Sequence, residues 1–420
     1  MTSFAAAVDR IKGDVRRAVP ATLITRATTA LGILGRNRLL TPAVTTHLAL
    51  HRALHGGTAI THLRHLAEVS FTPSAYCQAI ARLPETFFRL LQILVTDRLR
   101  DDRPQDRWNG HRLFLIDGTG VSMPDTPDLQ RAFGQPGGQT FGCGFPVAHL
   151  LALFEAQSGY LLKTLVAPLR THDLTHAATM HPQMHAGDVL VGDRAFGSFA
   201  HLALCRRREL HAVFRAHQRR RHTTAPDRLV WYAKPAQRPA WMTAAEYEAL
   251  PAELHVREIR VRVRTPGRRL RTLVLVTTLL DRCRYPARAI ARVYEQRWRV
   301  ETYLAHLKTT MGMDVLKSRT AEGVRKEIVV FGLAYNLVRR VMRAAADRQG
   351  VGVDRISFVD ALRWLRQAKA EEALPALVVH PNRPGRFDPR VKKRRPKQYP
   401  RMTRPRAELK KELRKKQLAA

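Results

Sequence analysis

Apolar residues recur at three- and four-residue spacing through "HLALHRALHGGTAITHLRHLAEV" and "AYCQAIARLPETFFRLLQILVTDRL", which predicts a helical segment over residues 1–105. Gly56 and Gly57 break one of these helices, and Thr72, Pro73 and Ser74 supply the cap and first turn of another, an arrangement compatible with a helix-turn-helix. The polar stretch "DDRPQDRWNG", punctuated by Pro104 and Gly110, reads as a linker. Strand patterns follow. "HRLFLIDGTGVSMP" reads as a strand ending at Asp117-Gly118-Thr119, and "FPVAHLLALFEAQSGYLLKTLVAP" as two strands joined at Ser158-Gly159. "AGDVLVGDRAFGSF" reads as a strand ending at Asp193. Helical stretches are expected at about 173–185 and 196–208, then a short strand at "HAVFRA". This order describes a mixed α/β sheet. If the first and fourth strands are neighbours, Asp117 and Asp193 project side by side.

The segment "YEQRWRVETYLAHLK" reads as one helix. At 100° per residue Tyr294, Arg297, Glu301 and Lys308 share an arc of about 60°. Val293, Val300, Leu304, Leu307 and Met311 form an apolar stripe beside them. The polar row therefore borders the buried face, where a carboxylate can be held rigidly and still meet a ligand. An Arg297–Glu301 surface pair is the plainer alternative.

Between Asp193 and Glu301 the chain is longer than one strand and one helix require. Within this stretch "HVREIRVRVRTPGRRLRTLVLVTTLL" alternates Ile259, Val261 and Val263 with Arg260, Arg262 and Arg264, then turns at Pro266-Gly267. A β-rich insertion with one basic face is expected.

Composition narrows the function. The 420 residues hold 72 Lys+Arg against 35 Asp+Glu, a net charge of +37, with 45% hydrophobic residues, enough for a substantial core. Such an excess implies a polyanion partner, nucleic acid first, because each phosphate neutralised releases condensed counterions. No apolar run is long enough to cross a membrane, and "MTSFAAAVDRIKGDVRR" carries Asp9 and Lys12 where a signal peptide needs apolar residues, so a cytoplasmic, nucleoid-associated protein is expected. Cys77, Cys143, Cys205 and Cys283 are scattered and read as free thiols. His172, His176, His181 and His185 lack a ligand motif and read as helix-surface residues. "FGQPGGQTFGCGFP" precedes a strand and lacks Gly-Lys-Ser/Thr, so it is a loop beside the site and no phosphate-binding P-loop. Residues 383–420 hold sixteen Lys+Arg against three acidic residues and read as a DNA-binding basic tail.

Two aspartates beyond adjacent strands and a glutamate on a helix would repel one another unless a cation lay among them. Oxygen-only ligands suit Mg²⁺, and a pair of such ions is the arrangement for in-line phosphodiester displacement.

The spacing Y-x2-R-x3-E-x6-K at Tyr294, Arg297, Glu301 and Lys308, preceded by "LIDGT" and "VGDRAFGSF" and followed by "LKSRTAEGVRKEIVVFGLAYNLVRRVM", resembles the bacterial insertion-sequence DDE transposases of family 4, named for that YREK signature. The resemblance implies that Asp117, Asp193 and Glu301 are the catalytic, metal-binding triad, and that Tyr294, Arg297, Lys308 and Arg194 contact DNA. It implies a ribonuclease-H-like core and a β-rich insertion in which a tryptophan can hold an unstacked base. Trp231 and Trp241 are candidates by type alone. The expected division is a helical N-terminal DNA-end-binding domain (1–105), the first part of the core (106–218), the insertion (219–284), the second part of the core with the Glu helix (285–345), a C-terminal helical region (346–382) and the basic tail (383–420). The expected activity is Mg²⁺-dependent cleavage at terminal inverted repeats and joining of the 3′-OH to target DNA, with two ions, Mn²⁺ as a substitute, and a homodimer on paired ends. A structure-selective nuclease on the same core and a DNA-binding remnant are the alternatives.

Overall fold

A computed structural model describes residues 13–33, 39–66, 70–100, 103, 106–217, 225–263, 271–367, 372–381 and 402–418. Among the described residues six helices come first: α1 (Gly13–Ala18), α2 (Ala21–Ala30), α3 (Pro42–Leu54), α4 (Ile60–Leu66), α5 (Pro73–Ala81) and α6 (Glu85–Leu99). Thr41 and Thr72 cap α3 and α5 through their side-chain oxygens, each with proline in the first turn. Gly56 and Gly57, at φ 68° and 69°, end α3 as the sequence suggests.

The sheet holds eight strands among the described residues: β1 (Leu113–Ser122), β2 (Val147–Glu155), β3 (Leu161–Pro168), β4 (Val189–Gly192), β5 (His211–Arg215), β6 (Asp227–Ala233), β7 (Glu253–Val263) and β8 (Arg271–Thr277). Their order is β3-β2-β1-β4-β5-β8-β7-β6. β1, β2 and β3 form an antiparallel meander, β4 and β5 join it in parallel with β1, and β8, β7 and β6 continue it antiparallel. The β-rich insertion is thus an extension of the central sheet through β5 and β8. Its alternation holds: Ile259 is buried, Val261 half-buried, and Arg260 and Arg262 are exposed. The turn at Pro266-Gly267, with Arg264, lies outside the described residues.

Several expected elements are corrected. β1 does not end at Thr119 but runs on to Ser122, because β2 pairs with it along that whole length. The stretch 173–185 holds only one short helix, α7 (Leu174–Ala177), followed by a 3₁₀ segment (Ala178–Gln183) that contains Pro182. The segment 294–308 is not one helix. It divides into α8 (Ala287–Glu295), α9 (Trp298–Ala305) and a π-turn (His306–Thr310). At the break Arg297 N–H donates to the Tyr294 carbonyl, a three-residue bond that tightens the turn, so the uniform 100° step fails there.

The longest helix, α10 (Ala321–Gln349), passes through position 345, so no element boundary falls there. Buried Asn336 ties it to both neighbouring layers. Its Oδ1 accepts from Leu161 N–H at 2.8 Å, and its Nδ2 donates to the Leu161 carbonyl at 2.9 Å and to Thr96 Oγ1 at 3.1 Å. Fully buried Arg339 donates to the Ser158 carbonyl and to Asp354. A Cβ on Gly159 would stand 2.3 Å from that guanidinium, so the β2–β3 turn needs glycine both for its φ of 69° and for space. One apolar core runs from Val15 and Leu99 through Phe114 to Leu333, so α1, α2, α3 and α6 share it with the sheet, whereas Leu63 of α4 and Tyr76 of α5 pack with Val44, Leu48 and Phe71 in a separate cluster. In the basic tail residues 406–418 form a helix; residues 383–401 lie outside the described residues.

Candidate active site

Strand register creates the site. β1 and β4 are parallel, with Leu113 opposite Val189 and Leu115 opposite Val191. Continuing that register two positions sets Asp117 level with Asp193, one residue past the end of β4 at Gly192. β1 has no β4 partner there, and its side chains change at Asp117 from buried to half-buried. Asp193 opens a single 3₁₀ turn (Arg194–Phe196), and its Oδ1 accepts from Ala195 N–H at 2.6 Å. Arg194 is exposed on that turn.

Arg297 joins the third carboxylate to the first. Its Nη1 lies 3.8 Å from Asp117 Oδ2 and its Nη2 lies 3.4 Å from Glu301 Oε1. The guanidinium is buried, with its Cζ 4.6 Å from the centroid of the Trp298 ring in a cation–π contact. Tyr294 is also buried, and its hydroxyl bonds Arg297 and feels Arg215 and Asp193; burial, the largest influence, raises its pKa. Lys308, on the π-turn, donates from Nζ to Thr119 Oγ1 at 2.9 Å, two residues past Asp117. The chain after that turn runs beside β1, with Ser122 N–H donating to the Asp314 carbonyl and Leu316 N–H to the Ser122 carbonyl. The sequence-derived residues Asp117, Asp193, Tyr294, Arg297, Glu301 and Lys308 are therefore brought together. Glu301 is half-exposed.

Burial raises the Asp117 carboxyl from 3.8 to about 6. The Gly118 N–H and Arg297 oppose the rise, and the charges of Asp193 and Asp173 add to it. The donors present are carboxylate oxygens, of which those of Asp117 and Asp193 repel each other, with a cationic group already spanning Asp117 and Glu301. That chemistry fits a hard divalent cation.

Sequence reasoning missed Asp173 and His149. Their side chains pair at 2.7 Å and press on the strand at Gly118, where a Cβ would fall 2.2 Å from Asp173 Oδ1 and 2.7 Å from His149 Cε1. Glycine inside a strand marks close approach of another group, and Gly118 was the available signal. Among the four histidines, His181 is buried and not on a helix surface; its partner across a side-chain contact is His201. In the insertion Trp231 is exposed and stacked on His255 at 4.5 Å, whereas Trp241 packs on the core.

The family model of the transposase DDE domain matches residues 108–337. The transposase InsG of insertion sequence element IS4 from Escherichia coli K12 is 25% identical over 355 residues, covering 78% of each chain. The putative transposase InsZ of the same organism is 31% identical over 103 residues, 24% of this chain and 34% of that protein. The piggyBac transposase synaptic complex with hairpin DNA aligns at a TM-score of 0.44 and 10% identity, over 84% of this chain and 79% of that one. DDE transposase domains use divalent metal ions and act on DNA. The match across the whole strand-and-helix block that carries the carboxylates settles the family: the chain belongs to the DDE transposases of the IS4 type, enzymes of insertion-sequence transposition.

Proposed function

We propose that Asp117, Asp193 and Glu301 are the catalytic triad of a ribonuclease-H-like core, and that they hold two Mg²⁺ ions, with Mn²⁺ as a working substitute. The observation that carries this reading is the β1–β4 register, which sets Asp117 level with Asp193, together with the Arg297 guanidinium shared by Asp117 and Glu301. The meander β1-β2-β3 followed by parallel β4 and β5 is the strand order such a core requires.

When bound, the ions lower the charge cost of in-line attack at phosphorus and assist departure of the leaving oxygen. The chain's own groups do the rest. Water attacks the phosphorus at the element end, the phosphorus–O3′ bond breaks, and the element keeps a free 3′-OH while the flank keeps a 5′-phosphate. That hydroxyl then attacks a target phosphodiester, exchanging one ester bond for another, so no external energy source is needed. We read Arg297 and Tyr294, expected as DNA contacts, as positioning groups instead: Arg297 holds Asp117 and Glu301 in place and Tyr294 steadies Arg297, while Lys308 and Arg194 take phosphate oxygens of the engaged strand. The helical segment 1–105 binds the terminal inverted repeats, the insertion 219–284 lays Arg260 and Arg262 along the DNA, and the segments 285–345, 346–382 and 383–420 supply the Glu helix, its support and a basic tail. The working unit is a homodimer on paired ends.

The test is a set of single variants assayed for end binding and single-turnover cleavage. Asp117→Ala, Asp193→Ala and Glu301→Gln each abolish cleavage and retain binding, and chelation stops the parent enzyme. A triad variant that cleaves at the parent rate overturns the assignment. A chain that cuts end-bearing DNA without joining it to target is a nuclease and not a transposase.

A further inference from the structure

Close to the Asp193 turn, His181, His201 and Cys205 each offer a donor atom, and these atoms lie within 4.8 Å of one another in a buried cluster. We propose that the three residues form a second metal site, with two nitrogen ligands and one sulfur ligand, that takes a Zn²⁺-like ion and braces the turn carrying Asp193.

The spacing is that of ligands on one ion. His181 Nε2 is 3.1 Å from His201 Nε2 and 3.7 Å from Cys205 Sγ. Tetrahedral bonds of about 2.05 Å to nitrogen and about 2.3 Å to sulfur separate nitrogen from nitrogen by about 3.3 Å and nitrogen from sulfur by about 3.6 Å. Imidazole with thiolate selects a borderline or soft ion, whereas the carboxylate site selects a hard one.

The second layer of contacts also suits a ligand histidine. His201 Nδ1 lies 2.9 Å from the Phe196 carbonyl, which holds the ring proton on Nδ1 and turns the bare Nε2 into the cluster. Phe196 closes the 3₁₀ turn that Asp193 opens, so the ion would be linked to Asp193 through one hydrogen bond and one turn. His201 and Cys205 are one turn apart on the helix Phe199–Arg207, and His181 comes from the separate 3₁₀ segment, so the ion would cross-link two elements. Burial lowers His181 to about 3 and His201 to about 4, which keeps both imidazoles in the neutral, ligating form. His181 also lines a surface depression with Ala178, Leu204, Arg207 and Arg208, a route for the ion and for water as fourth ligand. Binding is balanced by loss of one proton from the Cys205 thiol to solvent, while His181 moves its own proton from Nε2 to Nδ1.

The competing account is a hydrogen-bonded histidine pair beside a small apolar cysteine, which requires no ion. The full chain with Cys77, Cys143 and Cys283 changed to serine, leaving Cys205 as its single thiol, distinguishes the two when titrated with Co²⁺ without DNA or Mg²⁺. One equivalent binds with a thiolate-to-cobalt charge-transfer band, Zn²⁺ displaces it, and Glu301→Gln in that background leaves the band unchanged. His181→Gln weakens binding by at least about tenfold, since even outer contacts of a metal ligand are worth that much. Absence of the charge-transfer band in the single-thiol chain overturns the proposal, as does a band of unchanged strength in that chain when His181→Gln and His201→Gln are made together.

Discussion

The Arg297 guanidinium lies 3.8 Å from Asp117 Oδ2, so the first aspartate of the site faces a fixed cation from another element. The same group reaches Glu301 at 3.4 Å. Arg297 therefore both sets the spacing of two carboxylates and competes with any ion that enters between them. Arg297→Ala should slow single-turnover cleavage at saturating DNA by about 10- to 100-fold, as expected from losing one charge-assisted hydrogen bond, to Glu301, of roughly 1.5–3 kcal/mol together with the ion pair to Asp117. Mn²⁺ affinity, read by electron paramagnetic resonance, should stay equal or rise because a competing cation is gone. Arg297→Lys should restore only part of the rate, since a point charge cannot span both carboxylates. Cleavage within twofold of the parent in Arg297→Ala would reduce the contact to an ordinary surface pair.

The raised Asp117 carboxyl fixes a pH dependence with a definite sign. The unfolded chain ionises this group near 3.8, and the folded, metal-free chain keeps its proton until about 6. The stabilising contribution is complete below the lower value and is lost as pH rises to the upper one. Above that range the fold carries a charge it disfavours. Asp117→Asn should thus make the metal-free chain more stable at pH 7.5 by on the order of 1–2 kcal/mol, and the gain should vanish below pH ~4. With the divalent ion present the order reverses, because the ion requires the carboxylate. Denaturant titrations at both pH values with chelator decide it: an Asp117→Asn chain less stable than the parent at pH 7.5 would contradict the cause assigned to the shift.

His149 and Asp173 act on the site through Gly118. Removing the Asp173 charge takes away one of the influences that raise Asp117, so Asp173→Asn should move the acid limb of the cleavage profile to lower pH. A purely structural role would lower the rate without moving that limb. Gly118→Ala meets Asp173 at 2.2 Å and His149 at 2.7 Å, so β1 or the pair must shift. Cleavage should fall by at least about tenfold, in line with the sensitivity of reactions to misplacement of catalytic groups. The double variant Gly118→Ala with Asp173→Ala should recover part of that loss, and its failure to do so would show that the clash is not the cause.

Local pattern made some of this readable. The caps at Thr72 and Pro73, the hairpin break at Ser158-Gly159 and the Ile259–Arg262 alternation all depend on neighbours in sequence, and the structure follows them. The joining of β5 to β8 was not readable, because strand partners are chosen by distant segments. The division at Gln296-Arg297 escaped for another reason. Neither residue is a helix breaker, and the tightened turn coincides with Arg297 reaching across to Asp117 on β1. The His149–Asp173 contact joins residues from β2 and the segment after β3, and only a glycine in a strand pattern hinted at it. The buried His181–His201–Cys205 cluster left no mark at all, since its members lie on two elements and one of its histidines sits in a run that looks surface-exposed.

The basic tail gives the last prediction. Residues 383–420 hold sixteen Lys+Arg against three acidic residues. Two of those acids, Glu408 and Glu412, lie on the helix Arg406–Leu418, and Glu412 is engaged by Arg404 in a two-point ion pair. Three acidic residues cannot neutralise sixteen basic ones, so the tail carries a large net positive charge suited to phosphates. Contacts of that kind carry no base information, and each adds about 0.9 to the slope of log affinity against log salt on duplex DNA. Deleting residues 383–420 should weaken binding to element ends and to unrelated duplex by the same factor, and should flatten both salt slopes equally. The ratio of the two affinities should not change, because the groups that would distinguish ends lie elsewhere. Fluorescence anisotropy on both DNAs between 50 and 300 mM salt measures all four quantities. If the truncation instead removes only the preference for element ends, with the slope on unrelated duplex unchanged, the tail reads bases and its charge is incidental.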